Sequence, residues 1–89
     1  MSTGYDEIDN RINDLAEQEN ECLGLFDQIK NGKGENSSRY VALRGSCNEL
    51  RREIFRAAIS AGLTRERIKA EIMEARRNAL AQKQSVVST

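Results

Sequence analysis

The chain has 89 residues, with 14 Lys and Arg balanced by 14 Asp and Glu, 38% hydrophobic and 4% aromatic residues, and no His, Pro or Trp. That length holds one small domain spanning residues 1–89 and excludes a multidomain protein. With 31% of residues charged and no apolar run near the ~18 residues of a membrane helix, neither a membrane span nor a signal peptide is expected, and the protein reads as cytoplasmic.

The first predicted element is a long amphipathic helix over about residues 4–31. Tyr5, Ile8, Ile12, Leu15, Glu19, Cys22, Phe26 and Ile29 recur in steps of three and four, the spacing of one helical face. Thr3 or Ser2 can cap it. Asp6, Glu7 and Asp9 suit the positive end of its dipole, and Lys30 suits the negative end. The following stretch, residues 32–37, is polar, carries Gly32 and Gly34, and reads as a loop. Lys33 between those glycines suggests a phosphate loop, but the P-loop spacing and its preceding strand are absent, which leaves a solvated turn.

A second helix is predicted over about residues 38–61, capped by Ser37 or Ser38. Its seam runs through Tyr40, Leu43, Cys47, Leu50, Ile54, Ala57 or Ala58, and Ala61, with Gly62 in the left-handed stop position. Thr64 can cap a third helix over about residues 64–83. Ile68, Ile72, Ala75 and Ala79 share one of its faces, with Met73 and Leu80 beside it, and a short frayed tail covers residues 84–89. The class is therefore all-α. A short loop between two long helices predicts an antiparallel helical hairpin, plus a third C-terminal helix that folds back or reaches another protomer. A chain this short buries only ~60–65% of its unfolded surface, so assembly as a homo-oligomer is expected.

Neutrality hides an asymmetry. Residues 1–35 hold nine acids and three bases, whereas residues 36–89 hold five acids and eleven bases, giving halves of −6 and +6. The halves can neutralise one another within or between chains. Zero net charge also argues against general nucleic-acid binding, which draws on surplus positive charge. The absence of His removes the usual general base and the commonest metal ligand, and no nucleophile elbow, P-loop or dinucleotide fingerprint is present. No catalytic residue, metal or cofactor is assigned, and the chain does not read as an enzyme.

Several residues stand out. Glu19 is the one charged residue on the first seam. It needs a cation, with Arg44 or Arg51 as candidates, either to fix register or to build a polar pocket. Gly45 costs roughly 1 kcal/mol inside a helix relative to Ala, which points to close helix contact or to approach by a ligand or a second copy. Cys22 and Cys47, 25 positions apart, fit neither a zinc knuckle nor a disulfide framework and are expected to be buried, unpaired and inert thiols. Arg39, Arg44, Arg51, Arg52 and Arg56 place five guanidiniums on the second helix beside Tyr40. Such a set holds phosphates and stacks bases, or pairs with the acidic first helix.

The stretch Arg39 to Ile59 resembles the second helix of the phage anti-CBASS cyclic-nucleotide sponges. Arg39, Tyr40, Val41, Ala42, Leu43, Ser46, Glu49 and Ala58-Ile59 carry the pattern, and Gly24 to Lys30 is similar to the end of that family's first hairpin helix. The family's basic residue before the hydroxyl is here Gly45, with Arg44 one place earlier, and the third helix replaces its Pro-containing end. The resemblance implies a non-enzymatic phage anti-defence protein of the host-cell cytoplasm, a compact homo-oligomer that sequesters cyclic di- or trinucleotides between protomers. It implies Tyr5, Arg11, Lys30, Arg39, Tyr40, Arg44 and Ser46 as the ligand-binding residues. The competing reading is a small helical module that binds a host protein and has no small-molecule ligand. A chorismate-mutase-like enzyme is suggested only by the three-helix layout, and the Arg and Lys spacing it requires along the first helix is absent.

Overall fold

The computed structural model describes residues 3–87, with side-chain surroundings through residue 81. Three long helices account for nearly all of it: α1 (Asp6–Lys30), α2 (Ser37–Ser60) and α3 (Arg65–Val87), with a short 3-10 turn at Gly34–Asn36. Among the described residues there is no strand, and no helix is long and apolar enough to cross a membrane.

The ends of α1 and α2 follow from local chemistry. After α1, Gly32 takes φ +95°, its N–H bonds to the Ile29 carbonyl, and the Lys33 N–H bonds to the Gln28 carbonyl. Gly62 takes φ +92° after α2, with Gly62 N–H on the Ile59 carbonyl and Leu63 N–H on the Ala58 carbonyl. Both ends are Schellman motifs, in which a left-handed glycine lets two N–H groups turn back onto the last carbonyls. Thr64 then caps α3, its Oγ1 accepting the Arg67 N–H at 3.2 Å.

The other two starts differ from expectation. Tyr5, not Thr3, precedes α1, and it provides no side-chain cap. Thr3 is buried and instead donates from its N–H and Oγ1 to Asp9 Oδ1 at 2.9 and 2.8 Å, drawing that carboxylate back over the first turn. Ser2, the alternative cap, lies outside the described residues. Before α2 the capping position falls to Asn36, whose amide is engaged with Gln28 Oε1 at 2.6 Å; Ser37 and Ser38 lie inside the first turn. α3 continues to Val87, past the expected end at 83, because residues 79–87 contain no Gly or Pro to stop it. Of the expected frayed tail, residues 84–87 are therefore helical, and Ser88 and Thr89 lie outside the described residues.

The C-terminal half of α1 meets residues 39–51 of α2, and Tyr5 before α1 meets Ala61 after α2. Glu21 meets Arg39, Gln18 meets Ser46, Glu19 meets Arg51, and the Tyr5 hydroxyl donates to the Ala61 carbonyl at 3.3 Å. α3 packs chiefly along α1 and touches α2 little. The tightest packing lies where all three helices meet, around Leu15, Ile54 and Ile68, each with no exposed surface, joined by Ile8, Ile12, Ala58 and Ile72. Toward the C-terminal end of α1 the seam thins to Cys22, Leu25 and Cys47. Leu25 is buried there and Phe26, expected on the seam, is 43% exposed. Both follow Cys22 at helical spacing, so periodicity alone does not choose between them. Tyr5 is likewise exposed, and Ile29 is half-buried. The result is a flat molecule, 45 × 31 × 19 Å, with a radius of gyration of 14.4 Å, against ~12 Å for a compact chain of this length.

Gly45 is exposed within α2, and a Cβ added there meets nothing within 4 Å, so contact between helices of one chain does not account for it. Gly62 also has open space, but its positive φ strains any other residue. Urea denaturation should therefore separate the two: Gly62→Ala loses about 1–2 kcal/mol of stability, whereas Gly45→Ala gains up to about 1 kcal/mol. A loss at Gly45→Ala would mean that its backbone is in contact with another molecule.

Candidate functional site

Glu19 is 8% exposed, deep enough that an unpartnered carboxylate would be strongly disfavoured. Two guanidiniums reach it: Arg51 from α2 on one oxygen, and Arg76 from α3, whose Nε lies 2.9 Å from the other. Arg51 also donates to Asn48 Oδ1 at 3.4 Å. One carboxylate thus holds a cation from each of the other helices. Of the two partners expected for Glu19, Arg51 is present and Arg44 is not. Arg76 was missed, although it continues the Ile68–Ile72 stripe at the next step of four.

Around this triad opens a cleft of about 410 Å³, within the size range of small-molecule sites. α1 contributes Glu19, Cys22, Leu23 and Phe26; α2 contributes Tyr40, Arg44, Cys47, Asn48 and Arg51; α3 contributes Arg76. Along one rim Phe26 and Tyr40 pair with centroids 5.8 Å apart and planes tilted by 38°. Cations flank that pair, with Lys30 Nζ 5.4 Å from the Phe26 centroid and the Arg44 guanidinium carbon 5.9 Å from that of Tyr40. The lining holds three arginines against one glutamate, a surplus of positive charge beside two aromatic rings. Such a surface suits an anion that carries a flat ring.

The seven expected ligand residues do not converge. Tyr40 and Arg44 line the cleft, and Lys30 sits on Phe26 at its rim. Arg39 is exposed and paired with Glu21 at 2.8 Å, while Ser46 donates to Gln18 Oε1 at 3.1 Å. Tyr5 and Arg11 line a different cavity of about 500 Å³ together with Ala57 and Ala61. At 1.5 Å per residue, Arg11 and Lys30 stand ~28 Å apart along α1. Within one chain they belong to different sites. Of the lining residues, sequence reading selects only Tyr40 and Arg44 as ligands; Phe26, Asn48, Arg51 and Arg76 are among those it does not.

Cys22 and Cys47 are both free and buried, as expected, but they are not isolated from one another. Burial, with a smaller contribution from the neighbouring Cys22 thiol, pushes the Cys47 thiol up to about 11. Both thiols face the cleft wall. The chain matches no known protein-family profile, and no curated protein or solved structure is significantly similar to it.

The triad sets a test of stability. Glu19→Ala leaves Arg51 and Arg76 facing each other without a counter-charge, and since both are about half exposed the loss should be about 2 kcal/mol, below that of a fully buried pair. Arg51→Ala or Arg76→Ala leaves the carboxylate one partner and should cost about 1 kcal/mol each. Urea midpoints check this ordering, and the Arg51→Ala, Arg76→Ala double variant should lose more than the sum of the two.

Proposed function

We propose that this protein binds a cyclic oligonucleotide without degrading it, acting as a sequestering protein of the phage anti-defence type in the cytoplasm of a host cell. The observation that carries this reading is the combination of three guanidiniums with the Phe26–Tyr40 ring pair in one cleft. Half of the residues lining that cleft come from the stretch of α2 that resembles the sponge family. Arg44, Arg51 and Arg76 supply charge-assisted hydrogen bonds to phosphates, Tyr40 and Phe26 supply stacking surface, and Asn48 supplies both a donor and an acceptor for a base edge. Capture of this kind calls on no general acid or base.

In the same reading the α1–α2 pair acts as an antiparallel hairpin that assembles with further copies. A cyclic dinucleotide presents two bases and two phosphates, more than one open cleft covers, and the exposed Tyr5 and Arg11 end of α1 completes the cleft of a second protomer. The alternative is a module that binds a host protein through α3, favoured by the exposure of Met73 at 53% and Leu80 at 46% on that helix.

Calorimetry and thermal shift against cyclic di- and trinucleotides separate the two. A bound ligand at 100 times its dissociation constant adds about 2.7 kcal/mol of stability. Arg44→Ala should weaken binding roughly tenfold to a hundredfold, the value of one lost charge-assisted bond, and denaturing the complex should return the nucleotide unchanged. Sedimentation at micromolar concentration should show an oligomer. Absence of heat and of thermal shift across the panel would overturn the nucleotide reading, and a monomer would overturn the shared site.

A further inference from the structure

Cys22 and Cys47 are far apart in sequence but belong to one buried cluster and share the cleft wall. The register between α1 and α2 brings them together. Gln18 Oε1 accepts from Ser46 at 3.1 Å and from the Cys47 thiol at 3.9 Å. Cys22 follows Gln18 by four residues, which places it one turn further along the same face of α1. The Cys47 thiol, bonded to Gln18, therefore lies against the stretch of α1 that carries Cys22, in the same buried cluster and the same cleft lining. Neither sulfur is bonded to another, and the cleft beside them carries Arg44, Arg51 and Arg76, which favour an anionic reagent over a cationic one.

We propose that Cys22 and Cys47 form a reversible dithiol–disulfide modification site, closed from within the cleft by an anionic low-molecular-weight disulfide of the glutathione type. Whatever ligand the cleft binds, the chemistry is the same. One cysteine loses its proton to water and attacks a sulfur of the reagent, and a glutathione thiolate leaves and takes up a proton. The second cysteine, likewise deprotonated, attacks the protein sulfur of that mixed disulfide and expels the second glutathione. Two protein thiols are oxidised, one small disulfide is reduced to two thiols, and a covalent bond ties α1 to α2. Because burial holds the Cys47 thiol protonated at neutral pH, the step in which Cys47 is the nucleophile is slow there and quickens as pH rises.

The test is peptide mapping of the reduced full-length protein after incubation with oxidised glutathione, with alkylation under denaturing conditions before tryptic digestion. The expected product is the peptide of residues 12–30 joined to the peptide of residues 45–51, two hydrogens lighter than their sum. It should form within single chains, which run at the mass of one chain on a denaturing gel without reductant, and dithiothreitol should reverse it. Its rate should climb about tenfold per pH unit from pH 7 to 9. Cys22→Ala and Cys47→Ala, checked for helicity, should each stop at a single glutathione adduct. Separate glutathione adducts on both cysteines of the native chain, disulfides between chains, or complete alkylation of both cysteines at every pH would overturn the proposal.

Discussion

A carboxylate buried among three helices is the constraint on which the rest of this structure depends. Glu19 occupies a seam position of α1 where the neighbouring turns offer Leu15 and Cys22, and it accepts a guanidinium from α2 and another from α3. Burying a charge is expensive, and a pair such as this commonly adds little to net stability compared with a well-packed apolar core. Its effect is on register. Sliding α2 or α3 by one turn along α1 would leave the carboxylate without its partner, so the triad selects one alignment among several that the apolar seams alone would tolerate.

That alignment divides the molecule. On the side of Leu15, Ile54 and Ile68 the three helices close on an apolar core; beyond Glu19 the shared core ends and a cleft begins. The division explains why Arg51 and Arg76 remain half exposed while their partner is buried. They form part of the cleft wall, and their outer surfaces remain accessible to a ligand. It also explains the exposure of Leu23 and Phe26, which would be covered if the third helix extended the core along the whole of α1. The flat shape, the exposed rings and the charge surplus are thus consequences of one arrangement, and in the proposed reading a nucleotide and a second protomer cover what the single chain leaves open.

Much of the fold is legible in the sequence because its signals are local. The steps of three and four mark each helix, Gly32 and Gly62 mark the stops through their left-handed backbone, and Thr64 marks the start of α3 through its hydroxyl. The capping residues of α1 and α2 are less legible: Thr3 turns to Asp9 and leaves the position before α1 to Tyr5, and Ser37 and Ser38 fall inside the first turn of α2 behind Asn36. The site was harder to read. Tyr40 and Arg44 were identified from residue type, but residue type does not say that Tyr5 and Arg11 lie at the other end of a long helix. Arg76 was passed over for Ala75 because an arginine on an apolar stripe has no evident place until the carboxylate opposite it is known. The proximity of Cys22 and Cys47 depends on the register between α1 and α2, which no local pattern reveals.

The most direct measurement is a chemical-shift titration of the uniformly labelled protein with a cyclic dinucleotide. The cleft account predicts that the resonances of Tyr40, Arg44, Asn48, Arg51 and Arg76 move together and saturate, while those of Met73 and Leu80 stay in place. Unchanged spectra throughout the titration, or changes confined to Met73 and Leu80, would contradict it.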